Sequence, residues 1–199
     1  MTFPLRRLRS SLAVMITLGA AGAVALSAPA AQADLINLDN CNGATLSTPF
    51  APWADPSSYE LAPGGDFESS DWSLTGRAAV VDGSEPFAAT GTLGDSSLSL
   101  PAGSSAQSPP TCVDAAYPTI RFFASGSGTM AVGVRYDGVY LPAGVALVLG
   151  GWQPTPLMLT SSALPAAIAG GTTDVSLVLT TLTGNVRVDD VFIDPWNRG

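Results

Sequence analysis

The residues of this 199-residue chain that could move protons are almost all carboxylates: sixteen Asp and Glu stand against eight basic residues, every one of them Arg, with no His and no Lys. Serine-based acyl transfer needs a neighbouring base to take the hydroxyl proton, and the side chains that usually serve are absent. Zinc catalysis fails for the same want of imidazole, since two thiols do not complete a site. What remains is a pair of carboxyls acting as acid and base, the arrangement of glycoside hydrolysis, which requires two acids ~5–10 Å apart in a cleft. Glu60, Glu68 and Glu85 are the only glutamates. So few, in a small aromatic-poor domain, point to a chain that is not an enzyme.

Two other chemistries suit the residue types. Oxygen-only side chains suit a hard cation such as Ca²⁺. An exposed aromatic ring can stack on a sugar face while Asp, Asn or Arg pair with its hydroxyls. Tyr136 and Tyr140 bracket Asp137-Gly138 with Arg135 beside them, and Trp53 stands in a Pro-rich N-terminal arm. These four are the candidate ligand contacts, although hairpin tyrosines serve equally well as cross-strand pairs that steady a sheet.

The chain that must position these groups opens with Arg6, Arg7 and Arg9, an apolar run from Leu12 to Leu26, and Ala31-Gln32-Ala33. That order of charged, apolar and small residues reads as a cleavable export signal over residues 1–33. The domain that follows has five Arg against sixteen acids, a net charge of −11. Such a balance disfavours phosphate backbones and anionic lipid, so neither nucleic acid nor, after cleavage, a membrane is expected as a partner. An even cysteine count in a secreted, extracellular protein predicts a Cys41–Cys112 disulfide tying an N-terminal arm, residues 34–60, to a main domain over 61–199.

Glycine and proline recur throughout, and no segment repeats its apolar residues at helical spacing, so the fold class is all-β, an antiparallel β-sandwich. Val175, Leu177 and Leu179 alternate within a strand over 173–180. Further strands are expected over 77–81, 97–100, 119–124, 129–136, 145–149, 157–160 and 185–193. Asp137-Gly138 is a two-residue hairpin turn, Thr183-Gly184-Asn185 a second one joining the last two strands, Gly150-Gly151 and Gly170-Gly171 corners, and 101–110 a Ser-rich loop. Ala163 to Ala169 could form a helical turn or two. In the last strand strict alternation from Val186 would turn Asp190 inward, which calls for a β-bulge at Asp189-Asp190 or a cation to hold the carboxylate.

Gly64-Gly65-Asp66-Phe67-Glu68, Trp72-Ser73-Leu74, Ser97-Leu98-Ser99-Leu100, Gly151-Trp152-Gln153 and Arg187-Val188-Asp189-Asp190-Val191-Phe192-Ile193 occur in an order that resembles the galactose-binding-like jelly-roll superfamily. Carbohydrate-binding modules of the family 4, 9 and 22 type are its nearest representatives. The resemblance covers residues 61–196 and implies a jelly roll that binds carbohydrate without catalysis, with Trp72 and Trp152 in its core. It also implies a structural Ca²⁺ where the first strand's Phe-Glu meets the last strand's Asp-Asp, with Glu68, Asp189 and Asp190 as ligands and Asp66 as a further one. The whole chain is similar to short secreted actinobacterial proteins, a likeness that implies no activity. Gly94-Asp95-Ser96-Ser97-Leu98 resembles the nucleophile motif of an esterase family, but without the histidine that mechanism needs. The competing expectation is a structural or protein-interaction sandwich of the cell envelope that has no sugar site.

Overall fold

The structure, a computed structural model, describes residues 45–69, 71–114, 119–159 and 172–194, all within the unit Leu35–Gly199. The expected export signal, Cys41, the Gly170-Gly171 corner and the Ala163–Ala169 turn lie outside the described residues. Among the described residues eleven strands form: β1 (Leu46–Ser47), β2 (Tyr59–Leu61), β3 (Ser73–Thr75), β4 (Ala79–Asp82), β5 (Ser96–Pro101), β6 (Ser105–Gln107), β7 (Thr111–Asp114), β8 (Thr119–Tyr136), β9 (Val139–Pro154), β10 (Met158–Leu159) and β11 (Thr172–Asp194). Among the described residues the one helical segment is a 3-10 turn at Ala51–Trp53, started by Pro52. No described helix is long and apolar enough to cross a membrane.

Every pairing is antiparallel, and β11 is the strand the others share. One side of β11 runs along β8, which carries β9 on its far side and β10 beyond the end of β9. The other side is divided, in turn, among β7, β6, β5 and β2, with β3, β4 and β1 outside β6, β5 and β2. Cys112 is half-buried on β7 opposite Asp174.

One continuous sheet makes both layers of the sandwich because its long strands bend. An 18-residue strand spans about 60 Å when straight. Yet Ile120, Phe122 and Ala124 at one end of β8 and Met130, Val132 and Val134 at the other enter the same core cluster, together with Val175, Leu177, Leu179, Val186 and Val188 of β11. The bend lies on a line of glycines. Gly126 faces Gly150 on β9, and Gly128 faces Gly184 on β11. A Cβ at Gly128 would sit 2.1 Å from the Thr183 carbonyl oxygen, and one at Gly126 2.3 Å from that of Asn185. Backbones approach here closer than any side chain permits.

The same line explains where the structure departs from the expected strands. Thr183-Gly184-Asn185 is not a hairpin: β11 runs through it with a register shift between Thr181 and Thr183. Gly150-Gly151 is likewise a bend inside β9, and the strands expected over 119–124 and 129–136 are the two halves of β8. The 101–110 loop contains β6, and Phe67-Glu68 lies in a turn after β2 and not on a strand. Asp137-Gly138 does form the tight turn between β8 and β9, with φ of 47° and 76°.

The N-terminal segment is built into the sheet. Phe50 and Tyr59 join Phe123 and Phe192 in a second, aromatic cluster, with Trp53 and Trp152 packed against it. Arg121 clamps this segment: its Nη1 meets Asp55 Oδ2 at 2.5 Å, its Nε donates to the Thr155 carbonyl, and its guanidinium lies 4.5 Å from the Phe50 ring centre. The Tyr59 hydroxyl donates to the same Asp55 oxygen at 2.7 Å. Burial tends to raise the Asp55 pKa, but hydrogen bonds from Tyr59, Ser57 and Arg121 outweigh it and hold the group below its usual value.

Gly128→Ala is expected to cost ~3 kcal/mol or more in a urea melt, because the added methyl meets main chain that cannot yield. Gly103→Ala, at positive φ but with open space around it, should cost only ~1–2 kcal/mol.

Candidate functional site

The four expected ligand contacts do not form one site. Arg135 and Tyr140 face each other across the β8–β9 hairpin, as do Tyr136 and Val139. The Arg135 guanidinium is spent on the Gln107 side chain (3.0 Å) and the Gly138 carbonyl (2.9 Å), bracing the turn. Tyr136 packs against the main core, and the Tyr140 ring lies over Gly133, where a Cβ would come within 2.6 Å of it. These are sheet-steadying roles. Trp53 belongs to the far end of β8, edge-on to Phe123 at 5.3 Å and to Phe87 at 4.9 Å.

The outward face of the sheet near Trp53 supplies the better-formed candidate. Registers place Ser99, Arg187 and Ser125 in one row across β5, β11 and β8, and Pro101, Asn185, Ser127 and Leu149 in the next, which extends to β9. The floor is therefore small and hydroxyl-rich. At its end stands Trp152, which the resemblance puts in the core but which is partly exposed here, on the face of Phe123. The reason is a second irregularity: β8 advances from Ala124 to Gly126 while β9 passes from Gln153 to Gly150, and the extra residue turns Trp152 outward. The Arg187 guanidinium lies 5.7 Å from the Trp152 ring centre, anchored on the Asp82 and Gly83 carbonyls and the Ser97 hydroxyl. Phe87, 43% exposed, adds a second ring beside Phe123. Trp72, by contrast, is buried as expected, its Nε1 donating to the Pro63 carbonyl.

The expected metal ligands also separate. Glu68 Oε1 accepts the N–H groups of Asp95 (2.7 Å) and Ser96 (2.8 Å), tying the turn after β2 to the start of β5. A Cβ at Gly94 would lie 2.5 Å from that same oxygen, so a larger residue there would push the Glu68 carboxylate from its grip. The esterase-like motif is thus a carboxylate grip, and its Ser97 hydroxyl donates to the Gly83 carbonyl.

Asp189 and Asp190 sit at the expected bulge, where pairing to β8 skips between Asp189 and Phe192 and Asp190 takes φ 47°. Both are buried, and so is Glu85, a residue that sequence reasoning did not place here. Asp189 Oδ2 accepts from the Ser84 hydroxyl (2.7 Å) and the Glu85 N–H (2.8 Å), while its Oδ1 accepts the Asp190 N–H (2.9 Å). Glu85 accepts the N–H groups of Phe87 and Ala89. The donor chemistry is that of a hard-cation site, three oxygen-only side chains buried together. Their placement is not: among the described residues no three acidic, His or Cys side chains are set to hold a metal ion.

Packed carboxyls that cannot all be charged keep protons instead. Burial pushes Asp189 up to about 6, with a smaller push from the Glu85 charge and opposing hydrogen bonds from Ser84, Glu85 and Asp190. Burial, then the charges of Asp189, Glu85 and Asp66, push Asp190 up to about 8. A carboxyl whose pKa rises on folding stabilises the fold fully below its unfolded value near 3.8, and that stability is lost as pH climbs through its folded value. Thermal melts should therefore show Tm falling by ~5–15 °C between pH 5 and pH 8. Asp190→Asn should melt higher than the parent at pH 8 and flatten most of that slope; an unchanged slope would assign the pH dependence to other groups.

No sequence family and no curated protein matches the chain. Among solved structures it is similar to a family 61 carbohydrate-binding module in complex with β-1,4-galactotriose: identity 14%, 67% of this chain and 96% of that one covered, TM-score 0.44. It is also similar to the C-terminal family 22 module of Clostridium thermocellum Xyn10B (17%, 69% and 91%, TM-score 0.45). A family 6 module from Clostridium stercorarium in complex with cellobiose is similar at 16%, 69% and 91%, with a TM-score of 0.42.

Proposed function

We propose that the protein is an exported, non-catalytic β-sandwich that binds polysaccharide on the outward face carrying Trp152 and Arg187. The observation that carries this reading is the pairing of a partly exposed indole with a floor of small hydroxyl and amide side chains, Ser99, Ser125, Ser127 and Asn185. A flat ring offers a sugar its apolar face, and the small side chains between it and Leu149 leave room for a chain of sugars to lie along the sheet. Asn185, exposed in the row next to that of Arg187, supplies a hydrogen-bonding partner.

A glycan array, followed by affinity electrophoresis on the best polysaccharide, tests the reading. Trp152→Ala should lower affinity at least ~10-fold, and Tyr140→Ala should leave it unchanged. Absence of binding to any polysaccharide would sink the proposal, and the reverse pattern of the two variants would move the site to the β8–β9 hairpin.

Calcium belongs to this reading as a structural partner of Glu85, Asp189 and Asp190, which would have to turn from their present hydrogen bonds to take it. A cation would replace the shared protons, so millimolar Ca²⁺ should raise Tm at pH 8 and chelator should reverse the gain. Asp190→Asn should abolish the response. A melt at pH 8 indifferent to both would remove calcium from the proposal.

A further inference from the structure

Strand β9 is the outer edge of the long-strand layer. Among the described residues only β8 pairs with it. Edge strands of monomers are normally blunted by charge, proline or bulges within the exposed stretch. β9 contains no charged residue over its sixteen positions, and none occurs anywhere between Asp137 and Asp174 in a chain of net charge −8. Its Pro142 and Pro154 and its two register irregularities lie at or beyond the ends of Gly144–Gly150, leaving those seven residues as regular, unblunted strand. Along that stretch Val145, Leu147 and Leu149 are 61%, 66% and 64% exposed, while Ala146 and Val148 face the core.

We infer that β9 is a homodimerisation edge, pairing antiparallel with β9 of a second copy about a two-fold axis through Leu147. Leu147 is the midpoint of the regular stretch, so the pattern is complementary to itself. Antiparallel pairing about it sets Leu147 against Leu147 of the second copy and Val145 against Leu149 in both directions, three aliphatic cross-strand contacts on one face. A second copy fits better than an unrelated partner because an acidic chain can approach its own kind closely only where it is uncharged, and this edge is that place. Side-by-side pairing would cover part of these exposed side chains on each copy, and with the main-chain pairing the contact falls at or below the ~1,200 Å² low end of specific interfaces. A weak, concentration-dependent dimer follows.

Sedimentation velocity of the protein as purified from its producing cells, over ~1–200 µM, reads the association directly. The dimer fraction should rise across that range. Leu147→Lys and Leu147→Glu should each sediment as monomers with the parent's Tm, since Leu147 is exposed and contributes little to the fold. Mixing the two variants should restore the dimer, because the new charges face each other across the axis. A parent that stays monomeric throughout overturns the inference, as does a dimer that survives both substitutions or a mixture that remains monomeric.

Discussion

Much of this molecule depends on one interrupted register, the bulge between Asp189 and Phe192. Before it, the even-numbered residues of β11, Val186 and Val188, fill the main core, and Arg187 faces outward. After it the order is inverted: Val191 and Ile193 enter the main core and Phe192 joins the aromatic cluster on the other face. Without the extra residue, Asp190 and Phe192 would point into the main core and the aromatic cluster would lose a wall. The bulge therefore lets one strand serve two cores of opposite facing. Its cost is three carboxyls gathered in a dry place, met by main-chain N–H donors, a serine hydroxyl and retained protons. Val191 closes the arrangement by exchanging hydrogen bonds with the Ala62–Gly65 turn, where a Cβ on Gly65 would sit 2.7 Å from the Val191 carbonyl oxygen.

The candidate sugar face is a product of the same device used on β9. There an added residue turns Trp152 toward Phe123, while regular alternation on β5, β8 and β11 supplies the small residues beside it. Rigid pairing beneath and irregularity at the rim is an economical way to aim one large ring from a sheet. The Arg121–Asp55 clamp then holds the N-terminal segment over Phe123, and Trp53 and Phe87 pack against the same ring.

Local pattern carried the legible part of this fold. Alternation at Val175, Leu177 and Leu179, the Asp137-Gly138 turn and an irregularity at Asp189-Asp190 all follow from residues within a few positions of one another. What was missed depends on distant partners. A glycine that marks a turn and a glycine that lets two strands touch look alike in sequence, so β8 and β11 read as pairs of shorter strands. Glu85 meets Asp189 from 104 residues away, with no local signal beyond the Ser84 before it. Strands of two or three residues such as β1, β3 and β6 owe their existence to the neighbour they extend, and Trp152 reads as core until the bulge beside it is known.

The shared position of β11 has a consequence for the order in which the protein can be made. β2, β5, β6, β7 and the inner side of β8 all wait for residues 172–194, and before those residues leave the ribosome these segments lack their common partner. Contacts of such long sequence separation form late and slowly. Until residues 172–194 have been synthesised a nascent chain of this design cannot complete its sheet, and the segments before them keep their strand edges open.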